Sequence, residues 1–166
     1  MTRKELFATI KLKMVYALLE NVRSLYNVGA IFRTADGAGV SRIFLTGITG
    51  KPPHREIRKV ALGAEENVPW EYHREAAVVI RQLRAEKVKI VVLETTGAAV
   101  LFNEVHYESP LCLVVGNEYH GISEETLALA DVHIRIPMRG SKVSLNVSVA
   151  FGIAAYEVAG RLNFMD

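Results

Sequence analysis

The chain has 166 residues, half of them apolar and 23% charged, with a net charge of only +2 and a single cysteine. A charge so near balance permits a polyanionic partner without demanding one, and any RNA contact must be a local patch. One cysteine excludes an internal disulfide and suits a reducing cytoplasm, and no apolar run approaches the ~20 residues of a membrane span.

At this length one domain is expected, burying roughly 70% of its unfolded surface. The polar N-terminus carries no apolar stretch of the secretion-signal type. Thr2-Arg3-Lys4-Glu5 reads as a capping box that opens a short helix. Arg3, Lys4, Lys11 and Lys13 make the first thirteen residues basic, as a solvated arm or as an RNA contact. Residues 14–19 form the first predicted strand. A helix is predicted over 27–39, with Asn27 as its cap, Gly39 as its stop and Val28, Ile31, Phe32 and Ala35 as its apolar stripe. On another face Gly29, Arg33 and Gly37 recur every fourth residue. The two glycines either let a ligand or surface approach the guanidinium, or permit close packing while Arg33 faces solvent.

Residues 43–48 predict a second strand. The Gly50-Lys51 pair beyond it fails as a phosphate loop, because Leu45 stands where glycine is required and Pro52 where a magnesium-binding Ser or Thr belongs. Lys51, His54, Arg55, Arg58 and Lys59 gather cations that suit phosphate binding or a solvated helix face. A short strand over 68–72 and an amphipathic helix over 75–87 follow, the helix with Ala76, Val79, Ile80 and Leu83 at core spacing. Three apolar strands of the kind buried in parallel sheets span 88–93, 111–115 and 132–136. A helix over 123–130 separates the last two. The closing helix, 145–162, is apolar on most faces and rich in small residues. It is expected to be buried against the sheet and against something more, for which a partner subunit would serve. Alternating strands and helices argue for an α/β fold with a mainly parallel sheet.

Each of the last three strands runs into a loop of distinctive composition. Residues 88–93 lead into Glu94-Thr95-Thr96-Gly97, and residues 111–115 into Gly116-Asn117-Glu118-Tyr119-His120-Gly121. Residues 132–136 end at Pro137, beyond which lie Gly140 and the cations Arg139 and Lys142; Ser144 opens the last helix, with Asn146 and Ser148 near its first turn. Parallel sheets hold ligands beyond the carboxyl ends of their strands, so the three loops should converge on one site. His120 beside Glu118 is either an acid–base pair or a histidine bonded within its own loop. The chain lacks the glycine fingerprint of dinucleotide sites and the nucleophile elbow of hydrolases. Its five histidines show no ligand spacing, so no metal is expected.

Asn21-Val22-Arg23-Ser24, Asn27-Val28-Gly29-Ala30, Arg33-Thr34-Ala35-Asp36 and Gly39-Val40 together resemble the first motif of the SpoU-type (TrmH-like) RNA methyltransferases of the SPOUT superfamily. Val114-Val115-Gly116-Asn117-Glu118 with Gly121-Ile122-Ser123 resembles the second. Ile136-Pro137-Met138, Gly140 and Ser144-Leu145-Asn146-Val147-Ser148 resemble the third. The motifs follow the family's order across residues 21–150, and Ala61-Leu62-Gly63-Ala64-Glu65 with Val68-Pro69-Trp70 is also family-like. The resemblance implies a homodimeric SPOUT α/β fold with a C-terminal trefoil knot, an exception to the rule against threaded chains. It implies S-adenosylmethionine held around Thr95, Gly116, Ile136, Met138 and Leu145, and methyl transfer to a ribose 2′-hydroxyl of tRNA or rRNA. Arg33 would approach from the partner subunit, with Asn27, Glu118, Ser144 and Asn146 completing the site. The alternative is a non-catalytic RNA-binding module of the same fold. Without a separate RNA-binding domain, RNA is expected on Lys51, Arg55, Arg58, Lys59, Arg139, Lys142 and the N-terminal arm.

Overall fold

The structure is a computed structural model that describes residues 1–6 and 14–162. Lys11 and Lys13 of the basic arm lie outside the described residues. The capping box forms: the Glu5 N–H donates to Thr2 Oγ1 at 3.1 Å, and the Thr2 N–H donates to Glu5 Oε2 at 2.6 Å. Seven strands follow in one sheet: β1 (Val15–Glu20), β2 (Arg42–Thr46), β3 (Trp70–His73), β4 (Lys89–Leu93), β5 (Val100–Leu101), β6 (Leu111–Val115) and β7 (Val132–Arg135). Their order is β3-β2-β1-β6-β4-β7-β5, and every ladder is parallel. The predicted strands are found within a residue or two of their expected bounds; β5 has only two residues, too few to leave a period in the sequence.

Alternation along each strand makes two cores. Val15, Ala17 and Leu19 of β1, Ile43 and Leu45 of β2, Val91 of β4 and Leu111, Leu113 and Val115 of β6 point to one face. Leu18, Phe44, Ile90, Val92, Cys112 and Val114 point to the other. Successive side chains of a strand face opposite ways, so strands apolar at every position need helices on both sides. The first face is covered by α1 (Leu25–Ala38), α2 (Arg55–Ala61), α3 (Ala64–Asn67) and α6 (Val147–Arg161). The second is covered by α4 (Ala76–Ala85) and α5 (Glu124–Leu129). Cys112 is free and fully buried, and burial pushes its thiol pKa up.

Two helix starts differ from expectation. Ser24 caps α1 in place of Asn27: its hydroxyl accepts the Asn27 N–H at 3.2 Å, and the Asn27 side chain is committed elsewhere. Asn146 caps α6, accepting the N–H groups of Ser148 and Val149 at 2.9 and 3.3 Å, so Ser144 lies in the preceding loop. Gly39 stops α1 as expected, in the left-handed conformation. Gly29 and Gly37 serve packing. A Cβ on Gly29 would stand 2.7 Å from the Ile57 carbonyl oxygen of α2, and one on Gly37 would stand 2.6 Å from the Tyr156 hydroxyl of α6.

Candidate active site

β6, β4 and β7 are consecutive in the sheet, so the three loops expected to converge do so at its carboxyl edge. A hydrogen-bonded chain ties that edge to α1 and α6. Glu118 accepts the N–H groups of Arg23 and Ser24 at 2.9 and 3.0 Å and the Asn27 side-chain amide at 3.0 Å. Asn27 Oδ1 accepts the Asn146 amide at 3.1 Å, and Asn146 Oδ1 also accepts the Ser148 hydroxyl at 2.6 Å. Burial alone would raise the Glu118 pKa. The Asn27 amide and the two backbone N–H groups outweigh it, and the carboxyl is held below its ordinary value. Among the described residues the His120 side chain makes no hydrogen bond or ion pair with Glu118, whose oxygens are taken by Arg23, Ser24 and Asn27. The His120 backbone N–H binds Asn117 Oδ1 at 3.0 Å.

Two adjoining clefts open here. The smaller, about 70 Å³, lies among Leu93, Thr95, Ile136, Met138, Ser144 and Leu145. The larger, about 260 Å³, is walled by Gly116, Glu118, Ser144, Leu145 and Asn146. Thus Thr95, Gly116, Ile136, Met138 and Leu145 are brought together, and so are Asn27, Glu118, Ser144 and Asn146. The loop after β6 folds back through an Asn117–Gly121 bridge. A Cβ on Gly116 would sit 2.6 Å from the Gly121 carbonyl and the Ile122 nitrogen, so only glycine fits beneath the fold-back.

Arg33 stands apart. It is exposed on α1, makes no hydrogen bond or ion pair among the described residues, and lines neither cleft of its own chain. The candidate RNA contacts fall into two patches. Lys51 lies 4.3 Å above the Tyr72 ring, and Arg55, Arg58 and Lys59 are exposed on α2. Arg58 faces Glu65 and Glu66 at 3.8 and 3.7 Å, which offsets part of its charge. Arg139 and Lys142 are exposed beyond β7. Strands β2 and β7 are four ladder steps apart, roughly 19 Å at the usual strand spacing, so the patches occupy opposite ends of one edge.

Several supporting residues escaped sequence reasoning. Glu20, only 6% exposed, accepts the Ser123 N–H and hydroxyl at 3.1 and 2.7 Å and the Thr126 hydroxyl at 3.0 Å. Glu94 accepts the Ile122 N–H at 3.0 Å, and Asn117 donates to the Asn21 carbonyl at 2.8 Å. Together they brace the loop after β6 from both sides. The available signal was an acid at the last position of one apolar strand and just past the end of another. Among the described residues no three His, Cys, Asp or Glu are grouped to hold a metal, and no helix is long and apolar enough to cross a membrane.

Residues 14–156 match the SpoU rRNA Methylase family. The chain is 37% identical over 139 residues to the tRNA (guanosine(18)-2'-O)-methyltransferase of Escherichia coli, covering 84% of this chain and 60% of that protein. It is 36% identical over 144 residues to the 23S rRNA (guanosine-2'-O-)-methyltransferase RlmB of Pectobacterium atrosepticum, covering 84% and 57%. An AdoMet-bound rRNA methyltransferase from Sinorhizobium meliloti superposes with a TM-score of 0.84 at 34% identity, over 89% of this chain and 56% of that one. The chain therefore spans about 60% of the length of these two curated relatives while holding all three motifs, and it belongs to the SpoU methylase family.

Proposed function

We propose that this protein transfers a methyl group from S-adenosylmethionine to the 2′-hydroxyl of a guanosine ribose in tRNA or rRNA, acting as a cytoplasmic homodimer. The observation that carries this is the joining of the clefts at the β4, β6 and β7 ends to the Asn146–Asn27–Glu118 chain. The clefts suit that cofactor. Leu93, Ile136, Met138 and Leu145 offer an apolar wall for an adenine ring, and Gly116 leaves room for direct backbone contact. When bound, S-adenosylmethionine supplies a methyl group already activated on sulfonium, so the chain's own task is positioning and charge stabilisation.

Arg33 of a second copy holds the ribose oxygen as it loses its proton. A guanidinium with a pKa above ~12 cannot take that proton, so the role is electrostatic, and a substrate phosphate can accept it. Asn146 and Asn27 orient the ribose, Ser144 faces it from the loop after β7, and Glu118 fixes Asn27 and the start of α1. The dimer reading is supported by Arg33 being exposed and lining neither cleft of its own chain. It is also supported by Val149, Ile153 and Tyr156, which are 51%, 37% and 41% exposed along one stripe of α6 beside α1. A trefoil knot is supported by β7 entering the sheet between β4 and β5, both earlier in the chain. Lys51, Arg55, Arg58, Lys59, Arg139 and Lys142 are the proposed RNA contacts.

Labelled methyl transfer to total tRNA and rRNA, followed by mapping of the modified nucleotide, tests the function. Label on a ribose is expected; cofactor binding with no label in any RNA would leave a binding module only.

A further inference from the structure

We propose that a third cavity at the same edge, about 680 Å³ and lying between the loops after β4 and β6 and helix α5, receives the guanine base of the substrate, stacked on Tyr119. This rests on the proposed function and adds where the base goes and what reads it. The cavity shares Glu94, Thr95, Tyr119 and Gly121 with the clefts described above, so a ligand can extend from one to the other. Its floor is already satisfied. His133 Nε2 faces the Leu127 carbonyl at 3.0 Å, which can only accept, so that nitrogen carries the proton. Nδ1 lies 2.8 Å from the Thr96 hydroxyl, so both ring nitrogens are engaged within the chain. The Glu94 oxygens hold the N–H groups of Thr95 and Ile122.

The rim is different. Tyr119 is 80% exposed, and its backbone makes it so. The Asn117–Gly121 bridge closes the loop, and Asn117 Oδ1 takes the N–H groups of Tyr119 and His120 at 2.9 and 3.0 Å. An exposed aromatic ring carried on a braced loop offers a stacking surface whose backbone needs no further ordering on binding. The Glu124 carboxylate makes no hydrogen bond or ion pair among the described residues and lies on the same cavity wall. No lysine or arginine lines the cavity, whose carboxylates are Glu94 and Glu124. Phosphate is therefore disfavoured. A base that offers N–H groups on its pairing edge is favoured, and guanine offers two such donors, N1–H and the N2 amino group.

The test uses whichever RNA pool accepts label, with three measurements: steady-state transfer, filter binding of that RNA, and calorimetric titration of the RNA-free protein with S-adenosylmethionine. Tyr119→Ala should raise both the KM and the Kd for RNA by about tenfold, the order expected of one lost base–aromatic stack. Because Tyr119 also borders the larger cleft, cofactor affinity should fall by much less than RNA affinity, and Tyr119→Phe should restore RNA binding. Glu124→Gln should narrow the preference for guanosine over inosine placed at the mapped target. Weaker cofactor binding in Tyr119→Ala with unchanged RNA affinity would assign the cavity to the cofactor and overturn the proposal. Transfer and RNA binding insensitive to Tyr119 would overturn it alone. A wild-type protein that methylates no RNA would overturn the proposed function and this inference with it.

Discussion

Arg33 and Glu118 divide the work of the proposed site by charge, one exposed and without a partner among the described residues, the other half-buried and holding three N–H groups. An unpaired guanidinium is free to meet a developing alkoxide, and loss of one such stabilising donor typically costs about 10²–10³ in rate. Arg33→Ala is expected to keep cofactor affinity and lose transfer by about that factor, as calorimetry beside a transfer assay will show; wild-type rates would remove Arg33 from the mechanism. Glu118 behaves oppositely. Its lowered pKa means that its contribution is complete above the ordinary glutamate value of ~4.3 and is lost as pH falls through the lower folded value. Stability of the wild type should fall across that acid window. In Glu118→Gln, which turns one acceptor into a donor facing backbone N–H groups, stability should be lower at neutral pH and show no such acid step in thermal melts.

Glycine decides how closely the elements approach one another. Gly29 lets α1 lie on the backbone of α2, and a methyl group there meets a carbonyl that cannot yield without moving the helix. Gly29→Ala should therefore destabilise the fold by ~1–3 kcal/mol, read as a drop of several degrees in Tm. Gly116 lies beneath a fold-back loop at the cleft wall, where a Cβ would meet backbone at 2.6 Å. Gly116→Ala should lower the melting temperature as Gly29→Ala does and, unlike it, abolish cofactor binding in calorimetry. A large loss of stability with cofactor affinity intact would contradict that assignment. The helix starts show how much of an element is readable. The stripe Val28, Ile31, Phe32 and Ala35 located α1 because burial repeats with the helical period. Its cap was misplaced because Ser24 and Asn27 are both good caps, and only the distant Glu118 carboxylate withdraws Asn27 from that role.

For the whole molecule, the exposed stripe of α6 and the absence of Arg33 from its own clefts support the proposed second copy. Ile153→Glu puts a carboxylate in the middle of that stripe and is expected to yield monomers in light scattering, with transfer lost and cofactor affinity largely kept. Dimers with full activity would place the interface elsewhere. The basic patches at the two ends of the sheet edge suit an extended polyanion. Lys51→Glu with Arg55→Glu should weaken RNA binding and flatten its dependence on salt, since fewer counterions are released; an unchanged slope would clear that patch.

The sequence by itself determined the layers: strands apolar at every position, separated by amphipathic helices, can only form a parallel sheet covered on both faces, because burial period is a local property. It also placed three polar loops at the carboxyl edge, and its motifs indicated the family. What only the tertiary structure decided is who bonds to whom. Glu118 and Asn27 are 91 residues apart and Asn146 and Asn27 are 119 apart, and their pairing depends on β6 lying beside β1 and on α6 returning over α1. Glu20 and Glu94 likewise read as acids ending apolar strands until the sheet order brought the N–H groups of residues 122 and 123 to them. A hydrogen bond is directional and short, so its partner is chosen by where the backbone finally lies and not by any period along the chain.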